Sequence, residues 1–146
     1  LLSLNEAVDR VLTSHLKMPI ERVPLALSYG RVLAEEVVSP RSIPPWDNSA
    51  MDGYAVLSSD LKTQPVVLSV LETIAAGAMP TRPVTKGTCS KIMTGAPMPE
   101  GADSVIIVED SKDVGDGLVE LSEVSFPGKN VREKGNDVAF GSTVLA

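Results

Sequence analysis

Eleven prolines and 11 glycines punctuate this chain of 146 residues, and beyond Met18 no long helical period can run before one of them interrupts it. A backbone broken so often favours short extended elements joined by turns, because proline removes a donor and glycine relaxes the backbone. Hydrophobic residues make up 43% of the chain but aromatic ones only 3%, so the core has to be aliphatic. The length suits one compact domain, or one with a small lobe.

The N-terminus reads differently. Ser3-Leu4-Asn5-Glu6 has capping-box spacing, and Leu4, Ala7, Val8, Val11, Leu12 and His15 recur at helical intervals before Met18-Pro19 ends the pattern. This predicts an amphipathic helix with one buried stripe, His15 lying at its edge as a helix-terminal residue rather than a catalytic one. Downstream, residues 23–27 read as a strand interrupted by Pro24, residues 28–33 as a short helical turn and 36–38 as an extended piece. Residues 65–73 read as a strand buried on both sides, broken at Ala76-Gly77. Further strands are expected at 104–109, 118–121 and 142–145, with Gly115-Asp116-Gly117 as a hairpin turn.

Charge and composition narrow the function. A formal charge of −6 argues against general nucleic-acid binding, whose affinity comes largely from lysine and arginine on phosphates. One cysteine and one histidine exclude an internal disulfide and a Cys/His zinc site. With no second histidine to act as base, Cys89 reads as a core residue. Acidic Glu6 and Asp9 stand where a signal peptide would be basic and apolar, and no run approaches a membrane span, so a soluble cytoplasmic protein is expected.

Three turns concentrate groups capable of chemistry. In Pro44-Pro45-Trp46-Asp47-Asn48-Ser49-Ala50-Met51-Asp52-Gly53-Tyr54-Ala55-Val56, a stiff proline step leads into two carboxylates, an amide and a hydroxyl, then an apolar strand. Asp52 before Gly53 could coordinate a cation or orient a water, although an Asp-Gly pair by itself is more often a plain turn. Thr94-Gly95-Ala96, after Ile92-Met93, offers a hydroxyl and closely spaced N–H groups to an oxyanion, although it is no P-loop. Asp137, in Gly135-Asn136-Asp137, stands near Lys129, Arg132 and Lys134, either an anion-attracting cluster around a carboxylate or a solvated charged turn. The acidic run 110–117 is no EF-hand loop, since Lys112 sits where an oxygen ligand is needed.

These turns, together with Tyr29-Gly30-Arg31-Val32-Leu33-Ala34 and Gly128-Lys129-Asn130-Val131-Arg132, closely resemble the molybdopterin molybdenumtransferase family of MoeA and gephyrin E-domain type. The resemblance runs from about Leu4 to the end and covers the N-terminal region of longer proteins. It implies an α+β, β-rich fold of bifurcated and coiled sheets with an N-terminal helix. Residues 1–20 would be a helix that packs on a distal pterin-binding domain. Residues 21–43 and 141–146 would belong to a discontinuous linker domain, and 44–140 to a compact β-rich domain.

The resemblance further implies that molybdate is inserted into adenylated molybdopterin with Mg²⁺ and release of AMP. It carries catalytic roles onto Asp52, Thr94 and Asp137, metal contacts onto Asp52 and Asp137, and substrate contacts onto Ser49, Gly95 and Arg132. The active cleft would form between protomers of a homodimer, with other molybdenum-cofactor biosynthesis proteins as further partners and with neither nucleic acid nor membrane. The alternative is a gephyrin-like scaffold, disfavoured because that branch more often carries a lysine where Met51 stands.

Overall fold

The computed structural model describes residues 2–14 and 18–146, so the reading of His15 lies outside the described residues. The chain divides into two units, one running to Glu36 and including Ala146, the other Val37–Leu145.

In the first unit, α1 (Leu4–Thr13) starts at the expected capping box: the Glu6 N–H donates to Ser3 Oγ at 3.3 Å, and the Ser3 N–H donates to the Glu6 carboxylate at 2.8 Å. Its apolar stripe forms but is not buried, Leu4 being 79% and Val11 70% exposed. Periodicity reports that a face is apolar, not that anything covers it. The strand expected at 23–27 is instead a 3₁₀ turn, Leu25–Leu27, in which the Leu27 N–H donates to Pro24 O at 2.8 Å. Pro24 has no N–H for a ladder, and its φ of −55° suits the start of a helical turn. Residues 28–33 close a single turn, Arg31 N–H to Ser28 O at 3.1 Å, without continuing as helix, and Arg31 pairs with Glu21.

The second unit is built from strands. They are β1 (Val37–Val38), β2 (Asn48–Ser49), β3 (Gly53–Val56), β4 (Val66–Ile74), β5 (Thr88–Ile92), β6 (Ser104–Ile107), β7 (Ser111–Gly115), β8 (Leu118–Leu121), β9 (Val131–Arg132) and β10 (Thr143–Leu145). Six form one sheet in the order β6-β3-β5-β4-β8-β7, antiparallel except for the parallel β4–β5 pair. β1 pairs with β10 and β2 with β9 as separate two-stranded ribbons.

All four residues of β3 are buried, and they alternate between two cores as strand geometry requires. Tyr54 and Val56 join Leu61, Leu68, Cys89, Ile106, Val119 and Leu121 on one face. Ala55 joins Ile74, Ile92, Ala96 and Val105 on the other, with Met98, Ala102 and Val131 packed against them. The two-sided burial expected for residues 65–73 therefore belongs to β3. In β4, Leu68 is 1% exposed but Val67 is 48% exposed. The β4 run is apolar on both faces, but only one of them is roofed at that point.

β3 also sets the closest backbone approach. A Cβ built on Gly53 would lie 1.9 Å from Ile106 O on β6, a distance no side chain tolerates. Gly53→Ala should therefore separate β3 from β6 and destabilise the protein by about 4 kcal/mol or more. Gly95→Ala, with no atom within 4 Å of the added carbon but a φ of +79°, should cost only about 1–2 kcal/mol. Urea unfolding midpoints of the two variants measure the contrast.

Candidate functional site

Residues 43–52 form a spine to which the other two turns are bonded through main-chain groups. At its start, Ile43 N–H donates to Val138 O at 2.8 Å, and Ile43 O accepts from both Asp137 N–H and Val138 N–H at 3.0 Å. At its centre Asn48 lies opposite Arg132 and Ser49 opposite Val131. Ser49 O accepts from Gly95 N–H at 2.8 Å, and Ser49 N–H donates to Ala96 O at 3.0 Å. Ala96 in turn is a member of the second core, so packing on Ala55 and Ile92 holds this loop in place.

At the end of the spine, Asp52 Oδ1 accepts from Thr94 N–H at 2.7 Å and Asp52 O from Val108 N–H at 3.0 Å. The second carboxylate oxygen of Asp52 has no hydrogen-bond partner among the described residues, and the side chain is exposed. Thr94 Oγ1 donates to Ala50 O at 3.2 Å. Asp52 and Thr94 are thus brought together directly, and Gly95 joins them through Ser49. Ser49 is itself fully buried, its hydroxyl donating to Met51 O at 2.5 Å. Arg132 sits beside this group by register with its side chain exposed. Asp137, also exposed, is anchored at the opposite end of the spine, on Ile43. No three His, Cys, Asp or Glu side chains converge as metal ligands among the described residues.

Two sequence expectations about this site change. The N–H groups of residues 94–96 do not form a cradle for an oxyanion, because each is already committed: Thr94 to Asp52, Gly95 to Ser49 and Ala96 to Met93. Lys129 does not belong with Arg132 and Lys134, since its ammonium binds Glu123 at 2.7 Å and Val124 O at 3.0 Å. That ammonium holds the Glu123 carboxyl below the usual carboxylate range. Arg132 and Lys134 remain as exposed cations.

Asp47 and Asn48 belong to the polar run read from the sequence, but no site role falls on them there. Asp47 Oδ1 accepts from Lys134 N–H at 2.7 Å, and Asp47 O accepts from Met98 N–H at 3.0 Å, so this residue ties all three turns together. Its position in the same polar run was the available signal. The carboxamide oxygen of Asn48 is buried without a hydrogen-bond partner. Cys89 lies in the first core, where burial pushes its thiol up to about 12, in keeping with a packing role.

Comparison with known proteins gives one answer. Residues 2–146 match the family described as MoeA N-terminal region (domain I and II). The chain is 45% identical over 127 residues to molybdopterin molybdenumtransferase 2 of Mycobacterium tuberculosis, covering 84% of this chain and 31% of that protein. It is 40% identical over 147 residues to the molybdopterin molybdenumtransferase of Haemophilus influenzae, covering 99% and 36%. Gephyrin of Dictyostelium discoideum is 30% identical over 156 residues, covering 97% and 22%. Among solved structures, a molybdopterin biosynthesis MoeA protein from Pyrococcus horikoshii OT3 superposes with a TM-score of 0.79 at 38% identity, covering 86% of this chain and 34% of that one. The chain spans about a third of the length of the enzymes it matches.

The bonding pattern separates residues that hold the site from residues left for a ligand. Asp47→Ala removes the acceptor for Lys134 N–H and should cost about 1 kcal/mol. Asp137→Ala, which removes an exposed side chain with no partner among the described residues, should stay within about 0.5 kcal/mol. Thermal unfolding of the two variants side by side reads the difference.

Proposed function

Because the chain belongs to the MoeA N-terminal region family, we propose that it contributes part of the active site of a molybdopterin molybdenumtransferase. The whole enzyme would take adenylated molybdopterin and molybdate, release AMP, and act in the cytoplasm as a homodimer. The observation that carries the reading is Asp52. One of its oxygens is fixed by Thr94 N–H while the other is exposed and unpaired among the described residues, within the stretch that matches the family.

Oxygen donors on this chain suit Mg²⁺ in its usual mode, in which one or two carboxylates act together with waters and substrate phosphates. Asp52 is the carboxylate proposed to hold it directly; Asp137, anchored at the opposite end of the spine, is proposed as a second metal contact on the family resemblance rather than on proximity. When bound, the cation would neutralise charge on the adenylate phosphate. Asp52 would also orient a water and accept its proton. Arg132 would draw the anionic substrate through its exposed guanidinium. Thr94 fixes Asp52 through its backbone, and its hydroxyl oxygen can accept a further bond. Gly95, with no Cβ and φ of +79°, lets a substrate come close to the loop. Ser49 would act by holding this loop in register.

A scaffold role is the second reading, resting on the similarity to gephyrin; the higher identities are with transferases.

In the full-length protein, Asp52→Asn should cut molybdenum insertion by about 10²-fold or more while leaving the unfolding midpoint nearly unchanged. The amide can still offer an oxygen to Thr94 N–H but carries no charge. Glu100→Gln, at an exposed site outside the three turns' bonding network, should leave both quantities unaltered. Insertion assays with adenylated molybdopterin and molybdate decide it; near-normal turnover by Asp52→Asn removes this residue from the chemistry.

A further inference from the structure

The six-stranded sheet carries a cleft that shares no residue with the proposed reaction. Val70 N–H donates to Gly117 O at 2.8 Å and so joins the β7–β8 turn to β4. Around that junction Tyr54, Val70, Lys91, Asp113, Asp116 and Leu118, with the glycines of the turn, line a cleft of 270 Å³.

Its polar groups are unspent. Tyr54 is only 6% exposed; its hydroxyl makes no hydrogen bond among the described residues and stays within reach of solvent rather than being sealed in the core. Lys91, directly opposite Tyr54 in the β3–β5 register, is half-buried and forms no ion pair among the described residues. Asp113 spends one oxygen on Gly115 N–H at 2.9 Å, leaving the other without a partner. Asp116 sits at the turn with a φ of 53° and an unpaired carboxylate. Val70 and Leu118 add apolar surface. Together they provide a donor group, an acceptor group and a greasy wall.

We infer that this cleft binds a free α-amino acid with an aliphatic side chain. Lys91 and the Tyr54 hydroxyl receive its carboxylate, Asp113 and Asp116 its ammonium, and Val70 and Leu118 its side chain. A simple anion would meet two aspartates and a bare cation would meet the lysine, so only a ligand carrying both charges satisfies all the groups.

The test uses the 146-residue chain, with its amide NMR shifts followed during titration with L-leucine, L-leucinamide and N-acetyl-L-leucine. L-leucine should produce saturable shifts at Lys91, Gly115 and Gly117. The amide, lacking the carboxylate, and the acetylated form, lacking the ammonium, should each bind about tenfold more weakly or worse, as expected for loss of a charged hydrogen bond. Tyr54→Phe and Asp116→Asn should each weaken L-leucine binding by a similar factor. Asparagine accepts the left-handed turn conformation, so the second variant reports even where the buried one unfolds. Absence of saturable shifts with L-leucine, or equal binding of the three probes, overturns the inference. Molybdenum insertion by the full-length protein is read separately, so failure here leaves the reading of Asp52 standing.

Discussion

The backbone contact between β3 and β6 at Gly53 leaves no room for even a methyl group, and the geometry of the second unit follows from it. With β6 held that close as the edge strand, β3 lies between β6 and β5 and is covered on both faces. One face carries the larger core around Leu68, Cys89 and Leu121. The other is roofed by the loop containing Ala96 and by Val131, which belong to the candidate-site turns themselves. Burial of apolar area is the principal stabilising term in a domain of this size, so placing site residues over a core ties their positions to global folding.

That arrangement explains how polar groups are divided. Main-chain donors of residues 94–96 are consumed in fixing the loop to Ser49, Asp52 and Met93. Asp47 does the same for the third turn through Lys134. Left exposed around these turns are one oxygen of Asp52, the carboxylate of Asp137, the guanidinium of Arg132 and the ammonium of Lys134. Turns of this kind are pre-organised by packing rather than by a lattice of free N–H groups.

Much of this was legible in the residues, for identifiable reasons. Ser3 and Glu6 announce the helix start by local chemistry, and Gly115-Asp116-Gly117 announces the β7–β8 hairpin by its demand for positive φ. The Asp52 turn stands out because its polar run is short, dense and led by a proline pair, but a role for it comes only from the family resemblance. β5 was not, since Thr-Cys-Ser-Lys-Ile shows little apolar alternation and owes its place to neighbours β3 and β4 on either side. β2 and β9 are two residues each and exist only through long-range pairing. The two-sided burial was assigned to β4 because its composition allows it, whereas coverage depends on which loops fold over a face. Commitment of the Thr94 and Gly95 N–H groups likewise depends on partners more than 40 residues away, on Asp52 and Ser49.

The central claim is that the site turns are held as part of the β3 core, although Thr94, Gly95 and Lys134 are themselves exposed. Native-state amide hydrogen exchange tests it most directly. Amides of Thr94, Gly95 and Lys134 should be released only by the same large opening that exposes Ala55 on β3. Exchange of those three amides through small local fluctuations, at rates like the Ala76–Gly77 turn and independent of Ala55, would contradict it.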